Sequence, residues 1–116
     1  MKVNGRNFER SSRVDSLLRH ILAEEITEMA DSDDRLVMLT VTGVSCSKDL
    51  KHATVWFDHL SEDSLVALLE IRHKLQRRIA KQVKMKRTPI LEFGADPAIS
   101  AGEKVDLLLK RLTFDS

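Results

Sequence analysis

A chain of 116 residues, 42% of them apolar, has room for one domain whose core needs no disulfide or metal. Its single cysteine, Cys46, excludes an internal disulfide framework and points to a reducing, cytoplasmic setting; no run of about 18 apolar residues would make a membrane helix, and no apolar stretch follows the basic N-terminus as in a secretory signal. The net charge of +1 averages over two segments of opposite sign.

Residues 1–9 lack periodicity and are expected to form a flexible arm ahead of one domain over residues 10–113, with 114–116 as a tail. From Ser12 onward, Val14, Leu17, Leu18, Ile21, Leu22, Ile26 and Met29 recur at helical spacing, with Ser11 or Ser12 as the predicted N-cap. The end of this helix carries the acidic segment: residues 24–34 hold Glu24, Glu25, Glu28, Asp31, Asp33 and Asp34 and no Lys or Arg. The polar cluster Asp31-Ser32-Asp33-Asp34 should stop the helix. Leu36–Ser47, rich in β-branched residues, predicts a strand in which Gly43 marks a bulge. The turn Lys48-Asp49-Leu50-Lys51 leads into a second strand, HATVWFDHL, and so short a link favours an antiparallel hairpin.

Ser61 then caps a long helix whose first turn carries Glu62 and Asp63, suited to the positive end of the helix dipole. Leu65, Leu68, Leu69, Leu75, Ile79 and Val83 fall in one stripe about 120° wide. Residues 71–91 carry Arg72, Lys74, Arg77, Arg78, Lys81, Lys84, Lys86 and Arg87 and no acid. Lys74, Arg77, Arg78, Lys81 and Lys84 occupy the arc opposite the stripe, whereas Arg72 falls inside it. Either its stem snorkels outward or the helix breaks near Ile71–His73, and the break is the favoured reading. Thr88-Pro89 should end the helix. Ile90–Phe93 reads as a third strand, Asp96-Pro97 as a turn, and Val105, Leu107, Leu108, Leu109 and Leu112 as a final helix. The order predicts an α+β domain, a three-stranded sheet with helices packed on one face.

These residues, read in order, resemble the ribosome-binding factor A family over roughly residues 8–112. The resemblance rests on Arg13-Val14, Asp34-Arg35-Leu36, Val41-Thr42-Gly43-Val44, Ser47-Lys48-Asp49-Leu50, Ala53-Thr54-Val55, Pro89-Ile90-Leu91-Glu92-Phe93, Asp96 and Gly102. It implies a type II KH-like fold, α-β-β-α-(kink)-α-β plus a C-terminal helix. It also implies binding to free 30S subunits or their precursors through small-subunit ribosomal RNA, a role in 16S rRNA maturation felt most in the cold, and an assembly GTPase as a candidate partner. The family's usual Ala-x-Gly kink is replaced here by Ile71-Arg72-His73.

Eight bases without a neighbouring acid repel one another, whereas exposed helices usually alternate signs for i,i+4 support. A polyanion removes that repulsion and releases its counterions, so an RNA backbone is the expected ligand of Lys74, Arg77, Arg78, Lys81, Lys84, Lys86 and Arg87. Lys48 and Lys51 could reach a second run of phosphates. Gly5, Gly43, Gly94 and Gly102 never make the GxxG clamp, so binding should read phosphates and RNA shape more than bases. A protein–protein adaptor meeting an acidic partner through the same face is the alternative. Trp56 and Phe57 point to opposite faces of a strand: one is core, and the other is covered by a helix or stacks on a base. His20, His52, His59 and His73 form no zinc-ligand spacing. A Cys46–His52 pair lacks an orienting carboxylate and an oxyanion loop, so neither an enzyme nor a metal or cofactor site is expected, and the protein should act as a monomer.

Overall fold

In a computed structural model, residues 2–99 are described, with side chains from residue 13 onward. The elements are α1 (Lys2–Met29), a 3₁₀ turn (Asp34–Leu36), β1 (Val41–Cys46), β2 (His52–Phe57), α2 (Glu62–Gln82) and β3 (Ile90–Ala95). β2 is the middle strand, paired antiparallel to β1 and parallel to β3. The expected α+β architecture, a three-stranded sheet with helices, is present.

Alternation, strict in β2 and held in β3 as far as Phe93, builds the core. Ala53, Val55 and Phe57 of β2 and Leu91, Phe93 and Ala95 of β3 are buried together with Leu18, Leu22 and Ile26 of α1 and Leu65, Leu68, Leu75 and Ile79 of α2. The rings of Phe57 and Phe93 lie 6.3 Å apart, tilted by 40°. Truncating either to alanine should cost about 3–5 kcal/mol.

Several sequence expectations need correction. α1 begins at Lys2, so Ser11 and Ser12 lie within it and neither caps it; a single serine costs a helix only a few tenths of a kcal/mol, about as much as other ordinary residues. The first strand starts at Val41 and not at Leu36. The Asp33 carboxylate accepts the Arg35 N–H at 3.0 Å and seeds the 3₁₀ turn, and Met38 then adopts a left-handed φ of 75° that redirects the chain. α2 is helical without interruption from Glu62 to Gln82, so the break expected at Ile71–His73 is not made. Arg72 stays in phase with the buried stripe and is half-buried, as a long aliphatic stem allows. α2 also stops before Thr88-Pro89: Val83 is extended and caps the helix through its N–H on the Ile79 carbonyl. Lys84, Lys86 and Arg87 therefore lie in the connection after the helix and not on its face. The final helix and the 114–116 tail lie outside the described residues.

Other expectations hold. Ser61 caps α2 by accepting the Ser64 N–H. The register slips between Val41, opposite Phe57, and Gly43, opposite Trp56, leaving Thr42 as the extra residue of a bulge.

Polar side chains fix the layers to one another. The Cys46 N–H donates to Asp15 of α1 at 3.1 Å. The Ser64 hydroxyl donates to the Arg35 carbonyl at 2.7 Å. Across the sheet, the bulged Thr42 hydroxyl donates to Asp96 at 2.7 Å, while the Asp96 N–H donates to the Phe57 carbonyl. On the free edge of β3, the Leu91 N–H donates to Gln76 of α2 at 3.0 Å. Replacing Gln76 with alanine leaves that part-buried N–H without its partner. The expected cost is about 1–3 kcal/mol, read as a fall in Tm of roughly 4 °C or more by circular dichroism.

Candidate nucleic-acid interface

The parallel pairing of β2 and β3 decides where the positive charge collects. His52 stands opposite Ile90, and the Ile90 N–H donates to the Lys51 carbonyl at 2.8 Å. The hairpin turn 48–51 and the connection 83–89 therefore meet at one end of the sheet. Lys48, Lys51, Lys84, Lys86 and Arg87 are all exposed there. Lys84 follows the end of α2, whose exposed Lys74, Arg77 and Lys81 share an arc of roughly 60°. The carbonyl ends of α2 point toward this cluster, and their partial negative charge offsets some of its repulsion.

Among the described residues, Lys74, Arg77, Lys81, Lys84, Lys86 and Arg87 form no ion pair. Arg78 differs from them. It is half-buried, and its Nε lies 3.7 Å from Glu25, whose other oxygen accepts from Gln82 at 3.1 Å. One member of the acidic segment thus reaches the basic helix. Asp33 is instead held by Arg35, which also contacts Glu70, and Glu24 faces His20. In the turn, the Asp49 carboxylate accepts from the Ser47 hydroxyl and the Lys51 N–H, which hold its pKa below the usual carboxylate range. Asp49 is a turn-builder that stays charged inside a net positive rim.

Ser45, Trp56, Thr54, His52, Ile90 and Glu92 occupy the sheet face opposite the core, as their alternation with buried neighbours requires. Phe57 is the core aromatic. Trp56 is only partly exposed, and its indole N–H donates to the Ser45 hydroxyl at 3.2 Å. Burial, followed by the nearby Asp15 carboxylate, pushes the Cys46 thiol up to about 12, so it carries no thiolate near neutrality and is a poor nucleophile. Among the described residues no group of three or more His, Cys, Asp or Glu side chains is placed to hold a metal. No described helix is long and apolar enough to cross a membrane.

Comparison with known proteins settles the family. The model of the family described as ribosome-binding factor A matches residues 10–109. This chain belongs to the ribosome-binding factor A family. The ribosome-binding factor A of Hyphomonas neptunium is 34% identical over 110 residues, covering 87% of this chain and 82% of that protein. The crystal structure of ribosome-binding factor A from Thermus thermophilus superposes with a TM-score of 0.67 at 34% identity, covering 73% of this chain and 93% of that one. A Thermus thermophilus homology model fitted into a cryo-EM map of a 30S–RbfA complex gives a TM-score of 0.60 at 36% identity, covering 72% and 91%. The fold is accordingly the KH-like one of this family.

Many residues that carry the family resemblance turn out to shape the backbone. Thr42 and Asp96 clamp the bulge, Ser47 and Asp49 build the turn, and Leu50 takes a left-handed φ of 60° within it. The sequence reading missed the Arg78–Glu25 contact; the i,i+4 pairs it weighs lie within one helix, whereas this pair bridges two. Removing the counter-charge with Glu25→Gln should free Arg78 and raise affinity for a polyanion about two- to fivefold at low salt, read as later elution from immobilised heparin.

Proposed function

We propose that this chain is a non-catalytic assembly factor that binds the immature 30S subunit and promotes 16S rRNA maturation, docking its basic surface on the ribosomal RNA backbone. The observation that carries the reading is the convergence of Lys48 and Lys51 with Lys84, Lys86 and Arg87 beside the α2 arc of Lys74, Arg77 and Lys81. A surface whose cations outnumber its one turn carboxylate, Asp49, matches the charge of a polyphosphate. Family membership, and the 30S complex of the Thermus thermophilus protein, support the small subunit as its source.

Lacking a GxxG clamp, the chain holds RNA by shape and phosphate position. Its mechanism is positional: it keeps immature RNA helices in one arrangement and departs when the mature fold removes the site. The reading includes a cytoplasmic monomer, an assembly GTPase as a neighbour on the subunit, and a requirement greatest in the cold.

Reversing Arg77, Lys81 and Lys84 to glutamate tests the proposal at three exposed positions, leaving the half-buried Arg78 and its Glu25 contact in place. The variant should fold with an unchanged Tm and bind small-subunit precursor RNA about tenfold or more weaker at moderate salt. Undiminished co-sedimentation with 30S precursors would place the site elsewhere. Equal affinity for precursor and mature translating subunits would contradict the assembly role. Partner capture that survives nuclease treatment would favour an acidic protein as the ligand of this face.

A further inference from the structure

We infer that the sheet face that the described residues leave uncovered is a stacking platform for an unpaired RNA base, with Trp56 as the stacking residue; the inference rests on the RNA-binding reading above. Phe57 and Phe93 are buried, which leaves Trp56 as the one partly exposed ring among the described aromatic side chains. Its row of the sheet contains no other side chain: Trp56 stands directly between Gly43 of β1 and Gly94 of β3. A Cβ placed on Gly43 would meet nothing within 4 Å, so the described residues leave the space above Gly43, beside the indole, unfilled. The hydrogen bond from the indole N–H to Ser45 satisfies the ring's polar atom and fixes its lean.

Charge supplies the direction of approach. On this face β2 presents Trp56, Thr54 and His52 in turn, and His52 adjoins the end where the turn and connection cations gather. Four residue steps along the strand separate Trp56 from His52, about 13 Å. A backbone anchored on the basic rim therefore needs only a few nucleotides to lay a base on the indole, and sheet-borne aromatics stack bases in this way. The segment must be single-stranded, because paired bases offer no free face. Glu92, one row from Trp56 and opposite Thr54, repels a phosphate placed over it but accepts from an exocyclic amine. The base edge, not the backbone, should lie over Glu92, so adenine and cytosine are preferred to uracil.

Trp56 is the only tryptophan of the chain, so its emission reports the event directly. The full-length protein is titrated with ten-nucleotide oligocytidylate and, separately, with an abasic phosphodiester of equal length. Oligocytidylate should quench the emission, and the abasic chain should bind, by competition for labelled RNA, without quenching. With labelled oligocytidylate followed by anisotropy, Trp56→Ala should weaken binding about 5- to 100-fold. Trp56→Phe should stay close to wild type, and both variants should keep their affinity for duplex small-subunit RNA. Unchanged emission while oligocytidylate binds, Trp56→Ala binding as tightly as wild type, or an indole shielded from acrylamide in the free protein would each overturn the inference. If duplex RNA binding persists in those cases, only the stacking platform falls. If the wild-type protein binds no RNA of either kind, the proposed function falls with it.

Discussion

The parallel register of β2 against β3 is the constraint on which the charge distribution depends. Parallel neighbours require a long crossover, and α2 supplies it. Because the crossover must return to the start of β2, it ends beside whatever precedes β2, which is the hairpin turn. The bond from the Ile90 N–H to the Lys51 carbonyl is the point of contact. Two basic groups separated by more than thirty residues of chain thus become one surface, and the same pairing runs the core face of β3 alongside that of β2.

That surface carries its own repulsion, and the structure offsets only part of it. Glu25 engages Arg78 where α1 meets α2, and Asp49 adds one fixed negative charge within the turn. The remaining cations project into solvent. Tethers from polar side chains hold the scaffold against this repulsion: Gln76 on the β3 edge, Asp15 on β1, and Asp96 across the bulge. Each satisfies a backbone or hydroxyl group that the sheet alone leaves open. Apolar burial and polar tethers thus make the fold, while the exposed charge that they leave unpaired makes the candidate site.

Much of the fold was legible in the chain because its signals are local. The Ser61 cap, the alternation of β2, the apolar stripe of α2 and the two-sided Trp56-Phe57 pair depend on residues a few positions apart. The errors arose where a local rule met a competing one. Leu36–Thr40 has the composition of a strand, yet the Asp33 cap and the left-handed Met38 claim it for a turn. Arg72 suggested a break, yet a long stem tolerates half-burial and the helix runs on. Proline marked where a helix could not continue, but α2 had already ended at Gln82, so Lys84, Lys86 and Arg87 belong to a loop. Most residues of the candidate site could be nominated from charge alone. Their arrangement could not, because the meeting of the turn with the connection, and of Glu25 with Arg78, is set by register and helix packing that no short window of sequence contains.

The central claim is that the turn lysines and the cations following α2 act as one phosphate-binding surface. The most direct measurement is the salt dependence of binding to small-subunit precursor RNA for wild type and for the double variant Lys48→Gln, Lys51→Gln. If the surface is continuous, removing the two turn charges should lower the magnitude of the log K against log salt slope by about 1.4–1.8, with Tm unchanged. A slope identical to wild type would show that the turn takes no part, and that the charges brought together by the β2–β3 register do not work together.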